Sequence, residues 1–219
     1  MLSQRYSSIV STFHEYTYHI LGCGAIGSAA ATQIVRMGGT ELKLYDMDYV
    51  SDENLGVSMF RVEDLKKPKT EALELICKTI NPLVDIQCFT KRFNNYIPSV
   101  EGNDIIILGF DSMQSRLEAV EIICKIKKPF LLIDGRMGAE HYQQYVLEQP
   151  TLSKYKSTWY SDDEGSEEPC NAKATSYCSN MSGSFICNSV KQILKEEPYC
   201  KDFTFNFPTM SLDSTGLYT

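Results

Sequence analysis

Gly22-Cys23-Gly24-Ala25-Ile26-Gly27 is a turn whose residue types suit a phosphate. Gly22 and Gly24 let the backbone bend tightly and approach a ligand, and Gly27 lets a helix pack closely on a strand. Ala25, Ile26 and Gly27 open that helix, where free amides and the helix dipole both favour an anion. Asp46 follows about 20 residues on, the distance at which a carboxylate ending a second strand accepts hydrogen bonds from ribose hydroxyls. So far the pattern suits a dinucleotide such as NAD and a triphosphate such as ATP equally. Asp48, Asn54, Lys69 and Asp111 narrow it. Lys69 offers a flexible point charge for phosphates. Asn54 offers an amide donor for a phosphate oxygen. Asp111 offers an oxygen ligand for Mg²⁺, and Asp48 stands where it can assist the metal or the loop. An oxidoreductase using NAD explains Gly22 to Asp46 but leaves Lys69 and Asp111 idle. Simpler roles exist for single members of the set: Lys69 as a solvated helix-start lysine, Asp111 as a helix cap, Arg116 as a structural partner.

The elements that position these residues alternate. His19-Ile20-Leu21 is a strand entering the turn, and Ile26, Ala30, Ile34 and Met37 recur at helical spacing until Gly38-Gly39. Leu42 to Asp46 is a second strand. A helix near Lys69 carries Leu73, Ile76 and Ile80 on one face and ends at Asn81-Pro82, since proline lacks the amide a helix needs. Val84 to Phe89 is a third strand, and Ile105 to Leu108 is apolar throughout, as in a strand covered on both faces. A helix with Met113, Leu117, Val120 and Cys124 inward follows, then a buried strand from Phe130 to Ile133 and a strand of different type from Gln143 to Leu147. The fold class expected is α/β, a Rossmann-like and mostly parallel sheet with helices on both faces. Ser161 to Glu168 reads as a mobile acidic loop. Ser182 to Lys195 reads as an amphipathic helix, Phe203 to Phe207 as an edge strand, and Ser211 to Thr219 carries no structural signal. The whole chain, 1–219, reads as a single nucleotide-binding domain, with a core at 18–150 and a crossover loop and C-terminal helix at 151–219.

Taken in order, Gly22 to Gly27, Asp46-Met47-Asp48-Tyr49-Val50, Asn54-Leu55, Lys69-Thr70-Glu71-Ala72, Ile80-Asn81-Pro82 and Asp111 to Arg116 resemble the ThiF/MoeB/HesA family, the ubiquitin-activating-enzyme-like adenylyltransferases. The resemblance covers roughly Gly22 to Arg136 and continues weakly to Lys195. It implies adenylylation of the C-terminal carboxylate of a ubiquitin-like or sulfur-carrier protein ending in Gly-Gly, or of a peptide. The carboxylate attacks the ATP α-phosphate and pyrophosphate leaves, which requires charge neutralisation and in-line geometry. It also implies a homodimer.

Two family arginines are missing. Val57 stands three positions after Asn54 where the family carries one, and Arg5-Tyr6-Ser7-Ser8 keeps the first arginine of an N-terminal pair but replaces the second by Ser8. Neither valine nor serine can fork onto phosphate. Arg61, Arg136 or Arg5 can supply the charge instead; the protein can bind nucleotide yet turn over poorly; or it can be the inactive half of a heterodimer. Arg136, after a buried strand, is the favoured replacement. Its simpler role is packing against the acidic loop. Cys170, after that loop, occupies the region where the family can carry an acceptor cysteine for the activated carrier. Its acidic neighbours oppose thiolate formation, Lys173 partly offsets them, and the alternative is a packed thiol.

The bounds are consistent with this. A chain of 219 residues with 43% hydrophobic and 22% charged content is an ordinary globular composition. A formal net charge of -7 argues against a general nucleic-acid binder, and no apolar run is long enough to span a bilayer. The eight cysteines show no Cys-x-x-Cys pair. A structural zinc is therefore not expected, a reducing cytoplasm is, and the inserted cysteine domain of the larger family members is absent.

Overall fold

The apolar run around Ile20 forms β1 (Thr17–Leu21), buried at every position. It pairs in parallel on both sides, with β2 (Glu41–Tyr45) and β4 (Asp104–Leu108). β3 (Asp85–Phe89) extends the sheet beyond β2, and β5 (Leu131–Gly138) beyond β4, again in parallel. The structure, a computed structural model, describes residues 8–9, 12–161 and 174–218. Past β5 the direction alternates. β6 (His141–Glu148), β8 (Asp202–Asn206) and β9 (Ser211–Ser214) are antiparallel, giving the order β3-β2-β1-β4-β5-β6-β8-β9. β7 (Tyr199–Cys200) and β10 (Leu217–Tyr218) form a separate antiparallel pair.

The period of two along β1 sends Tyr18 and Ile20 to one face and Leu21 to the other. On the first face, α1 (Ala25–Arg36), α3 (Lys69–Ile80) and α6 (Ser176–Leu194) bury Ile34, Leu73 and Ile186. On the second, α4 (Met113–Ile126) and the short α5 (Leu152–Lys156) bury Val120, Ile123 and Tyr155. The expected α/β sheet with helices on both faces is what the chain forms.

Three expectations change. Phe203 to Phe207 is not at the edge, because β9 covers it; that edge lies within the stretch read as featureless, whose polar residues hide the alternation. α6 starts at Ser176, two turns before Ser182: Gly183 packs on Ala29 of α1, and Ser179 and Ser182 are buried without an apolar signature. On α4, Arg116, Ala119 and Ile123 are buried beside Met113 and Val120, whereas Leu117 and Cys124 are only half-buried.

Residues 90–103 link parallel strands β3 and β4 without a helix, although such crossovers usually contain one. Side-chain bonds hold this segment on the sheet instead. Lys43 Nζ donates to the Ile97 carbonyl at 3.0 Å, and Ser99 donates to Asp104 through its amide at 2.9 Å and its hydroxyl at 3.0 Å. Beneath it, the fully buried His19 sits 2.8 Å (Nε2) from Asp104 and 3.3 Å (Nδ1) from the Tyr45 hydroxyl. A neutral imidazole satisfies both partners, donating from Nε2 and accepting at Nδ1.

Candidate functional site

β1 and β4 are neighbours whose following helices leave to opposite faces, so their C-terminal ends border the crevice where open α/β sheets take ligands. Gly22 is the first residue past β1, at φ +90°, and a Cβ there would lie 2.7 Å from the Gly109 carbonyl carbon. Only glycine fits both the dihedral and the space. A Cβ on Gly27 would overlap the Gly22 carbonyl oxygen, so the turn and the start of α1 are pressed together. No side chain caps α1, and Ser28 is the first residue whose amide is satisfied within it, by the Gly24 carbonyl at 2.9 Å. The amides of Ala25, Ile26 and Gly27 therefore open the helix without an intrahelical acceptor, and beside Gly24 there is nothing within 4 Å where a Cβ would sit. This is an anion cradle with room above it.

Asp46 ties that turn to the end of β2. Its Oδ2 accepts from the Cys23 amide at 2.7 Å and its Oδ1 from the Asp48 amide at 2.9 Å. Burial pushes its pKa up, while Lys69 and the two amides pull the other way. Each oxygen keeps a lone pair for a ribose hydroxyl. Asp48 and Lys69 are joined twice, Lys69 N to the Asp48 carbonyl at 2.9 Å and Lys69 Nζ to Asp48 Oδ2 at 2.9 Å. The Lys69 side chain is 11% exposed and that of Asp48 56%. Burial disfavours the Lys69 ammonium, but Asp46, Asp48 and Asp111 outweigh it and raise its pKa. Asn54 accepts from the Ser51 amide at 3.0 Å and the Ser51 hydroxyl at 3.1 Å through Oδ1. That fixes the amide's orientation and leaves its N–H donors to a ligand. Ser112, not Asp111, caps α4, accepting from the Ser115 amide at 3.2 Å. The exposed Asp111 carboxylate is thus outside the cap and close enough to act on Lys69.

Arg136 and Arg61 are placed differently from what charge replacement requires. Arg136 donates from Nε and Nη2 to Asp134 Oδ2 at 2.9 and 2.7 Å and from Nη1 to the Thr158 carbonyl at 2.7 Å. Its guanidinium stacks on Tyr145 at 4.3 Å and Tyr160 at 5.1 Å. With 5% exposure it has its donors committed, so it is a structural cation here rather than a free one. Its hydrogen-bond partners among the described residues are Asp134 and Thr158; the acidic loop that the sequence set beside it lies outside the described residues from 162 on. Arg116 pairs with the same carboxylate, in keeping with a structural role. Arg61 is held on the surface by Glu63 at 2.6 Å and Asp64 at 3.2 Å. Arg5, Cys170, Lys173 and most of the acidic loop lie outside the described residues. The seven described cysteines are free thiols, with Cys178 and Cys187 buried in the core. Sequence reasoning missed Gly109, whose tight packing on Gly22 was signalled only by a glycine between Leu108 and Phe110, and Trp159, whose indole N–H reaches the start of α4.

A model of the ThiF family matches residues 10–216. The chain belongs to the ThiF family. Among its relatives, the sulfur carrier protein ThiS adenylyltransferase of Bacillus subtilis (strain 168) is 32% identical over 117 residues, covering 51% of this ThiF chain and 35% of that protein. Ubiquitin-like modifier-activating enzyme 5 of Arabidopsis thaliana is 30% identical over 128 residues, covering 50% and 30%. The matches thus span only 35% and 30% of the lengths of these relatives. The crystal structure of E. coli MccB with succinimide superposes with a TM-score of 0.76 at 16% identity, covering 98% of this chain and 72% of MccB. The crystal structure of PaaA gives 0.71 at 14%, covering 98% and 77%. At these identities the structures establish the fold. Among the described residues, no helix of this ThiF chain is long and apolar enough to cross a membrane.

Proposed function

We propose that the chain binds ATP with Mg²⁺ at the rim of the parallel strands and adenylylates the terminal carboxylate of a carrier protein or peptide, working as a homodimer. The observation that carries this is the convergence of an uncapped α1, Asp46, Asn54, and Lys69 flanked by Asp111, in a chain of the ThiF family. The α1 amides and Asn54 receive phosphate oxygens, Asp46 takes the ribose, and Lys69 neutralises phosphate charge. Among the described residues no three metal-ligating side chains cluster, so a Mg²⁺ ion here would be held by one or two carboxylates together with the phosphates, as that ion commonly is; three carboxylates act on one ammonium at this rim, and a triphosphate added there needs a further cation. Asp111, with Asp48 beside Lys69, would hold Mg²⁺, which when bound supplies Lewis-acid neutralisation of the phosphates. In the reaction a carboxylate oxygen of the carrier bonds to the α-phosphorus, the bond to the bridging oxygen breaks, and that oxygen leaves on pyrophosphate. The chain's own contribution is to hold the phosphates in line and shield their charge. The names of the relatives support a sulfur carrier protein or a ubiquitin-like modifier, and the complexes of MccB with MccA support the peptide alternative.

ATP–pyrophosphate exchange tests this. Exchange that depends on a carrier ending in Gly-Gly, or on a free peptide carboxylate, supports adenylylation. Failure to bind ATP at all defeats it. A second reading, a nucleotide- and partner-binding subunit with little turnover, draws on the engagement of Arg136 and Arg61 in ion pairs and on Val57 beside Asn54. ATP binding without exchange under any carboxylate would favour that reading.

A further inference from the structure

Asp111 has no regular element of its own, so its position depends on what holds the start of α4, two residues on. Among the described residues, two attachments from outside the helix do so. Arg116, on the first turn, donates to the Leu108 carbonyl at 3.3 Å and pairs with the buried Asp134. Trp159 Nε1 donates to the Met113 carbonyl oxygen at 2.8 Å, from a segment 46 residues away. That carbonyl belongs to the first residue of α4 and has a second lone pair for a donor outside the helix.

The segment carrying Trp159 is itself fixed residue by residue. Tyr155 donates to Asp134 Oδ2 at 3.1 Å. Arg136 donates to the Thr158 carbonyl at 2.7 Å and to its hydroxyl at 3.3 Å. The Tyr160 hydroxyl lies 3.3 Å from Gln143 Oε1, and its ring stacks on Arg136. One buried carboxylate, Asp134, thus links β5, α4, α5 and the chain that follows α5. The Arg136 donors that looked available to a nucleotide hold this chain in place.

We infer that Trp159, held through Thr158 by Arg136, is a positioning residue that keeps Asp111 where a magnesium–nucleotide complex needs it. The inference rests on the ATP and Mg²⁺ reading above. Ligands of a metal–phosphate complex tolerate little displacement, so loosening the α4 start costs metal-dependent affinity while leaving the α1 cradle intact.

The test uses the full chain with Trp159→Phe, which keeps the ring and removes the N–H, and Arg136→Lys, which keeps the charge and loses the fork onto Thr158. ATP binding is measured by calorimetry with magnesium and with EDTA. Hydrogen exchange of the ligand-free protein is followed at Ser115 and Arg116. In both variants the affinity in EDTA should match the parent, whereas the tightening produced by magnesium should shrink about fivefold, the loss one neutral hydrogen bond allows. The Ser115 and Arg116 amides should exchange faster by a similar factor, with β1 and β4 unchanged. Equal losses with and without magnesium, or parental tightening in Trp159→Phe, overturn the inference. Should the parent show no magnesium-tightened ATP binding, the functional reading fails and the exchange data alone decide: parental exchange at the start of α4 in Trp159→Phe overturns the positioning role, and faster exchange there upholds it.

Discussion

Lys69→Ala removes an ammonium on which three rim carboxylates act, and its effect can be estimated. At about 4 Å and an effective dielectric of about 20, an ammonium and a phosphate oxygen attract by about 4 kcal/mol. Two factors reduce that. The ammonium is already paired with Asp48 at 2.9 Å, and a charged hydrogen bond nets about 1.5–3 kcal/mol once hydration is exchanged. Loss of about 2–3 kcal/mol corresponds to a Kd for ATP in EDTA raised roughly 30- to 150-fold. Asp48→Asn should act in the opposite direction, because it frees Lys69 from a competitor. Asp48 is 56% exposed, so that pair is worth at most about 1 kcal/mol, and metal-free ATP should tighten by no more than about fivefold. Titration calorimetry in EDTA measures both. Parental affinity in Lys69→Ala would refute the assignment of the cradle, and weakening in Asp48→Asn would refute the competition argument.

Asp134→Asn should lower stability by about 3–5 kcal/mol, because it leaves the buried Arg116 and Arg136 without their shared carboxylate; thermal unfolding should show a Tm lower by about 10 °C, and a change under about 2 °C would contradict the network. His19 faces Asp104, Lys43, Glu41, Tyr45 and Tyr96, and burial lowers its pKa despite the help of Asp104. The folded chain therefore refuses a proton that the unfolded chain takes. Stability is full above a pH of about 6.5 and declines below it by up to about 1.4 kcal/mol per unit. Asp104, held below its ordinary value with His19 and Ser99 overcoming its burial, adds a further loss below about pH 4. Chemical denaturation of His19→Gln between pH 5 and 7 should show a flatter dependence than the parent. Gly27→Ala should fold poorly or not at all, since its methyl would overlap the Gly22 carbonyl oxygen; soluble protein with parental Tm would contradict the close packing. Trp159 is the only tryptophan, so Mg²⁺ added to the ATP complex should alter its emission in the parent and not in Asp111→Asn.

What could be read from the chain beforehand follows the range of the forces involved. The strand, turn and helix from Thr17 to Arg36 were legible because glycine dihedrals and apolar periodicity are local signals. The role of Arg136 was not, although one clue was present. Asp134 and Arg136 are two apart on β5 and so share a face of the strand, where a buried arginine takes the adjacent carboxylate before any ligand arrives. The Trp159–Met113 bond spans 46 residues with no periodic or compositional trace, and β9 is too polar to alternate. The misplaced arginine also changes the electrostatics of the rim. With Val57 neutral and Arg61 and Arg136 both engaged, on the proposed reading Lys69, on which three carboxylates already act, would meet the triphosphate without help from either arginine. On that reading neutralisation would fall mainly to an ion held at Asp111. A site balanced in this way should discriminate more sharply between magnesium-bound and free ATP than one lined by arginines, because guanidinium charge is permanent and the charge at Asp111 arrives only with the metal.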